Sequence, residues 1–358
     1  MPAPPVMSDT EVAVFIAEIM RRCHGDIDEL LSVMEIALSH GIIRRRPQRP
    51  LVSYNNFFDR SCDDATAIHK YRFTIEQLQV LTVSLNFPAW ITTQWMDKVD
   101  SLEAIAMTCR SLAEPSRLFT VANEFGRSTE ACSRVVQTTV RHIYTNFADI
   151  IFFQDELMSS RSQMYANSVK DKCGLSVMNC IGFIDGTKQY ISRPSPRENA
   201  PTNENLQRAA YNGHPRRHCL NWQGITAPDG IGVGMYGPVE ELMKSYKTIV
   251  FTVIRLMDVN SAYRVHSEMP GSPEAAFNAV MSSVRESVEW SFHIIKSLWG
   301  YVSVDKKMKV RNSPVGMFWL VAALLTNCNS CLKPQGNQIS MYFGLRPPTL
   351  EEYLTKSE

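Results

Sequence analysis

The sequence predicts an all-α region followed by an α/β region, and three observations carry this prediction. From Ser8 to about Phe147 the apolar residues recur three and four positions apart, which is the spacing of amphipathic helices. After Cys173 the pattern changes to short apolar runs bounded by glycine, proline, asparagine and aspartate, as is typical of strands. Two longer segments, 272–300 and 313–332, then predict helices. We expect the boundary between about residues 150 and 175.

The composition is that of an ordinary globular protein. The chain has 358 residues, of which 44% are apolar and 20% are charged, and its formal net charge is +1. This length allows about two domains, and no uninterrupted apolar run predicts a membrane span. Because nearly balanced charge creates no long-range field toward phosphates, nucleic-acid binding would have to depend on local basic clusters.

The cysteines and the first residues indicate a reducing compartment. The nine cysteines are an odd number without the dense spacing of a disulfide scaffold. Cys328 and Cys331 form a CxxC pair without a second pair at zinc-site spacing, so buried thiols are favoured over a metal site. The N-terminus lacks a basic stretch followed by an apolar core, and secretion is therefore not expected.

The N-terminal segment, residues 1–55, is predicted to contain two helices and a basic linker. Both predicted helices begin with acidic caps, and the second one stops at Gly41. The run "RRRPQRP", residues 44–50, is the densest positive cluster of the chain. It fits a phosphate-binding or nuclear-import patch, and it fits a solvated linker at least as well.

Residues 101–147 have the parts of a helix-turn-helix. The pattern predicts a helix, a break at Pro115, a short helix, the turn "FGRS" and a long helix capped by Ser128. The long helix carries Arg134 and Arg141, which are seven positions apart and so lie on about the same face. A basic last helix that enters the major groove is one interpretation. An ordinary helical bundle with solvated arginines is the other.

An acid follows the first predicted strand in "IGFIDGTKQYISRP", residues 181–194. Asp185 ends an apolar run, so a rigid strand would hold its carboxylate at the edge of the sheet, as a ligand of Mg²⁺ or a similar cation requires. The common alternative is a structural aspartate that starts a turn, with Gly186 supplying the turn.

Glu289 is a second candidate acid, in the predicted helix 272–300. Val284, Val288, Phe292 and Ile295 form its expected buried stripe, and Glu289 lies at the margin of that stripe. A helix that packs on the sheet could direct this carboxylate toward Asp185. A solvated helix glutamate is the alternative, and the pattern alone favours it.

Many ordered motifs make the chain resemble DDE-superfamily transposases of the PIF/Harbinger type. The similarity covers roughly residues 70–355 and includes the helical region before the predicted strands. Its motifs are "GFIDGTKQYISRP", "YNGHPRRHCLNWQGITAPDG", "GPVE", "SAY", "FNAVMSSVRESVEW", "SPVG", "ALLTNCNSC" and "PPTLEEYL".

This resemblance implies a fold and a chemistry. The implied fold is ribonuclease-H-like, a mixed sheet with flanking helices, preceded by an all-α helix-turn-helix-like region. The implied activity is metal-dependent cleavage of DNA phosphodiesters by an Asp-Asp-Glu triad with two divalent cations, Mg²⁺ or Mn²⁺. By resemblance Asp185 is the first acid and Glu289 is the third.

The chain departs from the family at the second acid. Asn260 stands before "SAY", where the family usually has an aspartate, and it can offer a carbonyl oxygen but no charge. Asp258, two residues earlier, is the candidate substitute, so the expected metal ligands are Asp185, Asp258, Asn260 and Glu289. A His-Asp pair that the family has after "GPVE" is also replaced, in the region of Lys244 and Ser245. These losses would weaken metal binding.

The sequence therefore supports a DDE endonuclease-like protein, with a degenerate or domesticated DNA-binding protein as the alternative. We expect residues 56–165 to form the helix-turn-helix-like domain and residues 166–358 the endonuclease-like domain. DNA is the expected partner, contacted by Arg134, Arg141, Arg216 and Arg217, with a helper DNA-binding protein and self-association as further options and the nucleus or cytoplasm as the location. Trp222, Trp290 and Trp299 could stack on bases, but core packing is favoured.

Overall fold

The structure is a computed structural model, and it describes residues 7, 9–43, 51–173, 180–194, 206–239, 289–310 and 313–356. Two compact units make up the chain, residues Met1–Leu51 and Val52–Glu358. The first boundary lies close to the one expected near residue 55. Asp258 and Asn260, and the predicted strand before them, lie outside the described residues.

The described part of the first unit contains two helices, α1 (Asp9–Arg22) and α2 (Ile27–Ser39). Gly25, with φ of 86°, belongs to the tight connection between them. Asp26 then caps α2, because its carboxylate accepts hydrogen bonds from the backbone N–H groups of Asp28 and Glu29. The two helices predicted in this segment are thus confirmed.

The second unit begins with helices and one small hairpin. In chain order these elements are α3 (Asp64–Tyr71), α4 (Ile75–Ser84), β1 (Trp90–Thr92), β2 (Lys98–Asp100), α5 (Ser101–Ala113), α6 (Leu118–Phe125), α7 (Thr129–Phe152) and α8 (Asp155–Cys173). Side-chain caps start several of them: Asp63 caps α3, Thr74 and Gln77 form a capping box on α4, and Asp100 caps α5.

Helices α5, α6 and α7 have the order and the approximate bounds that the sequence predicts for residues 101–147. Gly126 ends α6 in the left-handed conformation, with φ of 59°, where an added Cβ would collide with the carbonyl oxygen of Asn56. Two residues later Ser128 caps α7 by accepting a hydrogen bond of 3.1 Å from the backbone N–H of Ala131. The short turn and the start of the long helix are confirmed.

The main sheet is antiparallel throughout its described part. Strand β5 (Arg217–Thr226) pairs with β3 (Phe183–Tyr190) and with β6 (Gly232–Val239), and the short β4 (Tyr211–Asn212) pairs with the first two residues of β5. A turn through Pro228 and Gly230 joins β5 to β6, and both residue types favour turns. Gly230, with φ of 81°, donates a hydrogen bond of 2.9 Å to Ala227 O. A short helix, α9 (Leu206–Ala209), precedes β4.

Helices close the second unit. Residues 289–298 are helical and are called the Glu289 helix below. Two short 3-10 turns follow, Gly300–Ser303 and Asp305–Lys307. The C-terminal core helix (Val315–Cys331) is buried over most of its length, and the short helices Gln338–Phe343 and Leu350–Leu354 end the chain. Within the described ranges, no helix is both long and apolar enough to span a membrane.

The helices and the sheet share one hydrophobic core. It extends from Phe58 through α5 and α7 to the sheet, the C-terminal core helix and Tyr353. Gln154, between α7 and α8, ties these parts together: its backbone N–H donates to Val233 O and its side-chain amide donates to Tyr353 O. The expected division near residue 165 falls inside α8 and inside this unit, because helices on both sides of it bury apolar faces against the same sheet.

The described residues form a mixed fold of helices and strands, in which the helices pack around an antiparallel sheet. A mixed sheet of the ribonuclease-H type would also need a parallel strand. The predicted strand that could supply one, within residues 247–258, lies outside the described ranges.

A buried carboxylate locks the β5–β6 turn onto α8. Asp229 is 0% exposed and accepts a hydrogen bond of 2.6 Å from the Tyr165 hydroxyl and one of 3.1 Å from the backbone N–H of Ile231. Arg161 lies 3.5 Å from the same carboxylate. Burial raises the pKa of Asp229 to about 6, because a charged carboxylate is poorly solvated there.

This shift predicts a pH-dependent stability. Because the pKa of Asp229 is higher in the folded protein, the folded state binds a proton that the unfolded chain has already released. The stabilisation from this proton is fully present below about pH 4 and is lost as the pH rises through about 6. Relative to Asp229→Asn, the wild type should lose about 2–3 kcal/mol of unfolding free energy over this range. Urea denaturation at several pH values measures it.

The exposed acid Asp155, at the start of α8, offers a matched control. Asp155→Asn should follow the wild-type pH dependence. A difference between wild type and Asp229→Asn that stays constant with pH would contradict the assignment.

Candidate functional site

Asp185 lies inside a strand and not at its exit. It is the third of the eight residues of β3, which continues through Gly186 to Tyr190. Asp185 pairs with Gly224 and Gly186 with Gln223, so the Asp-Gly pair forms no turn. The expectation that Asp185 lies at the exit of the strand is wrong, and so is the alternative that it starts a turn. The long antiparallel pairing with β5 keeps the backbone extended at this position.

The side chain of Asp185 points to the sheet face that the Glu289 helix covers. Thr187, two residues along β3 and so on the same face, accepts a hydrogen bond of 2.8 Å from the Lys296 ammonium of that helix. Gly224 is the cross-strand partner of Asp185, and a Cβ built on it would lie 2.9 Å from the Phe292 ring. Cross-strand partners share a face, so Phe292 packs beside Asp185's position.

Glu289 projects from the same side of its helix. Residues three and seven positions apart lie on about one side of an α-helix, and Phe292 and Lys296 are three and seven positions after Glu289. Both of these residues contact the sheet. Glu289 therefore lies one turn before Phe292 on the sheet-facing side, and its side chain is exposed. Asp185 and the helix that carries Glu289 therefore lie on the same face of the sheet.

Neither carboxylate has a hydrogen-bond or ion-pair partner within the described ranges. Asp185 is half-buried beside the core. Mg²⁺ is commonly held by one or two carboxylates together with substrate phosphates and water, and these two acids fit that donor set. In the part of the chain that the structure describes, no three acidic, histidine or cysteine side chains form a candidate metal site.

A polar row continues from Asp185 along the same face of β3. Gln189 is buried and accepts a hydrogen bond of 3.0 Å from the indole N–H of Trp222, whose ring stacks on Trp319 at 5.9 Å. Burial lowers the pKa of the Lys296 ammonium, which lies 5.9 Å from the Trp319 ring centroid. Sequence reasoning missed Lys296, although its spacing of seven from Glu289 was a usable signal.

The three tryptophans considered as base-stacking residues pack in the protein. Trp222 and Trp299 are fully buried, and Trp299 donates a hydrogen bond of 3.0 Å to the Thr326 hydroxyl. Trp290 is half-buried and packs edge-on against Tyr342. Core packing, the favoured interpretation, is confirmed.

The two arginines of α7 differ in their surroundings. Arg134 forms a bidentate pair with Asp97 of the β1–β2 turn, at 2.6 Å and 2.9 Å. These hydrogen bonds hold the pKa of Asp97 at about 2, below its ordinary value. Arg141 is exposed and has no ion pair within the described ranges. A phosphate contact by Arg134 would require this pair to open, whereas Arg141 is available.

Arg216 and Arg217 belong to a basic cluster at the other end of the sheet. Arg216 is exposed in the β4–β5 turn, and Arg217 donates to Asp305 and lies 4.5 Å from the Tyr190 ring. The Ser192 hydroxyl donates a hydrogen bond to Asp305 O, and the Ser192 backbone N–H donates one to Met308 O. These bonds bring the cations near Ser192 and those of the 305–309 segment together. The basic cluster comprises Arg193, Arg216, Arg217, Lys306, Lys307 and Lys309.

The basic cluster is separate from the two acids. Arg217 and Gly224, the partner of Asp185, are seven positions apart on β5, which corresponds to about 23 Å at about 3.3 Å per residue. A DNA duplex is long enough to touch both places at once. Asp258 and Asn260 cannot be placed relative to either, since they lie outside the described ranges.

Comparisons with known proteins found no match: no protein-family model, no curated protein and no solved structure resembles the chain closely enough to be recognised.

The ion pair of Arg134 predicts a role in stability. Arg134→Ala should lower the unfolding free energy by about 1–2 kcal/mol, because it leaves a half-buried Asp97 without its main partner. Arg141→Ala, on the exposed side of the same helix, should change it by less than about 0.5 kcal/mol. Chemical denaturation of both variants measures this difference. Equal effects would show that the Arg134–Asp97 pair contributes nothing specific.

Proposed function

We propose that the chain is a transposase-derived DNA-processing protein of the DDE type, with Asp185 and Glu289 as the first and third acids. The observation that carries this proposal is the packing of the Glu289 helix on the face of β3 to which Asp185 points. The motif resemblance assigns the same two residues independently. Agreement between motif order and three-dimensional placement supports the assignment.

The chemistry follows from charge. Two carboxylates about 4 Å apart repel by roughly 4 kcal/mol at an effective dielectric near 20, so acids that converge on one place favour a bound cation. Mg²⁺ or Mn²⁺ held there would polarise a DNA phosphodiester and activate water for hydrolysis. Asp185 holds its carboxylate on a hydrogen-bonded strand, and the Lys296–Thr187 bond fixes the helix that carries Glu289.

At the level of the fold, we propose that the sheet and its helices form a ribonuclease-H-like domain. The support for this proposal is the antiparallel order of β3, β5 and β6, with an acid on the first strand and a helix across the same face. Residues 240–288 would have to supply the parallel strand and the second acid.

DNA would be held by the basic cluster and by α7. Besides Arg217, which pairs with Asp305, the basic cluster contains five exposed or half-exposed cations, and these give a local positive surface in a chain with a net charge of only +1. On α7 the exposed Arg141 is the better candidate for a phosphate contact, because Arg134 is occupied by Asp97.

A second candidate function is DNA binding without cleavage. The observation that favours it is Asn260, which stands where the family usually has the second acid. With two acids instead of three, less negative charge is available to hold two cations, and cleavage would fall while binding through arginines and lysines remained. Nuclear location and a helper DNA-binding protein are compatible with both functions.

The nuclease proposal predicts metal-dependent nicking of supercoiled plasmid DNA with Mg²⁺ or Mn²⁺. Asp185→Asn and Glu289→Gln should each reduce the rate by at least about 100-fold, because each removes a charged oxygen ligand while keeping side-chain size. Chelation of the metal should abolish nicking. Gel analysis of the plasmid forms measures the rate.

Asp171→Asn and Glu351→Gln, at exposed acids of other helices, are the matched controls and should nick like wild type. Nicking that survives Asp185→Asn at the wild-type rate would point to a contaminant. A wild-type protein that binds DNA but never nicks it would favour the second candidate function.

The binding proposal predicts salt-dependent affinity for duplex DNA through the basic cluster. Arg216→Ala and Lys306→Ala should weaken binding and should each reduce the slope of log affinity against log salt by about 1, as one lost phosphate contact does. Fluorescence anisotropy at several salt concentrations measures the slope. Lys170→Ala, at an exposed lysine of α8, is the control; a slope as strongly reduced by Lys170→Ala would locate the contacts elsewhere.

A further inference from the structure

A cleft with a volume of about 210 Å³ lies between the helix-turn-helix-like helices and the C-terminal part of the second unit. The end of α5, the start of α6 and the first turns of α7 form one wall. The other wall is formed by Tyr301, Lys307, Ser313 and Phe318. Because about 10–15 Å³ of such space is enough for one water, this cleft could hold a small organic molecule.

Three serine hydroxyls that line the cleft lack partners. The Oγ atoms of Ser111, Ser116 and Ser313 are buried and form no hydrogen bond within the part of the chain that the structure describes. Buried polar groups in native proteins are nearly always satisfied. Ordered water or a bound molecule can supply such partners, so the three hydroxyls give the cleft hydrogen-bonding groups for a ligand.

The rest of the lining is apolar and partly aromatic. Tyr301 and Phe318 contribute two rings with centroids 5.3 Å apart and tilted by 53°, and Leu112, Val121 and Val136 add aliphatic surface. Surfaces of this kind favour a ring with an apolar face. The hydroxyls, together with Gln137, would then meet polar atoms at the edge of that ring.

The charges at the cleft are balanced and already engaged. The Lys307 ammonium donates a hydrogen bond of 2.8 Å to Ser116 O, and the Glu114 carboxylate is paired with Arg110. A neutral ligand therefore fits the interior better than an anion. Lys307 also belongs to the basic cluster, and the exposed Lys306 and Lys309 flank it, so phosphates attached to such a ligand would meet cations outside the cleft.

We propose that this cleft binds a nucleobase, a neutral ring with an apolar face and hydrogen-bonding edges. The base can come from a free nucleoside or from a nucleotide turned out of a DNA duplex, as enzymes that act on DNA bases do. Binding of a base from DNA rests on the proposed function, whereas binding of a free nucleoside does not.

The first experimental arm is calorimetric titration of the full chain with adenosine, guanosine, cytidine and thymidine, with ribose as the control solute. The second arm is a duplex that carries 2-aminopurine, whose fluorescence rises when the base leaves the stack, together with anisotropy of the same duplex to measure DNA binding separately. We expect saturable nucleoside binding, a fluorescence rise, or both.

Variants that fill the cleft should remove this binding. Ser111→Leu and Ser313→Leu should each weaken it by at least about tenfold, as a misfit of a few methylene groups in a pocket does. Thr120→Leu, on the exposed side of α6 and outside the cleft, should have less than about a twofold effect. Ser111→Ala and Ser313→Ala keep the space and test the hydroxyls alone, and thermal unfolding confirms that all variants fold.

The outcomes separate the two proposals. Nucleoside binding without DNA binding would support the cleft and count against the proposed function. DNA binding with neither nucleoside binding nor a 2-aminopurine response would overturn the cleft proposal and leave the proposed function intact. Binding that Ser111→Leu and Ser313→Leu leave unchanged in folded protein would also overturn it.

Discussion

The close approach of the Phe292 ring to Gly224 is the contact on which the candidate site depends. Gly224 has no side chain, and any Cβ there would lie within 2.9 Å of the ring. The helix can therefore lie against the sheet at the point where β5 pairs with Asp185. The Lys296–Thr187 hydrogen bond then sets the position of the helix along β3. Together these two contacts determine where Glu289 emerges.

The shared core gives the helices and the sheet a common frame. Helix α7 buries one side against α5, α6, β6 and the C-terminal core helix, and Gln154 hydrogen-bonds both β6 and the end of the chain. Because α5, α6 and α7 belong to the same core as the sheet, they cannot move freely relative to it. The same packing creates the cleft and places Lys307 at its border.

Charged residues show how far a sequence pattern can mislead. Arg134, one of the predicted DNA contacts, pairs with an acid 37 positions away. Arg110 and Arg127 likewise pair with acids, at separations of 14 and 24 positions. A pattern records that a cation is present but not that folding brings an anion to it. Arg141 and Arg216, by contrast, stay exposed, and they carry the DNA-binding proposal better than Arg134 does.

The sequence by itself determined the elements whose causes are local: the helices with their caps at Asp26, Asp100 and Ser128, the left-handed stop at Gly126, and the turn at Pro228–Gly230. In each of these cases the interacting residues are only a few positions apart, so the sequence pattern contains both of them. Only the tertiary structure decided that β3 runs on through Asp185, that Lys296 meets Thr187 across 109 positions, and that α8 bridges the expected domain boundary. Each of these depends on contacts between distant segments, whose energies no local pattern contains.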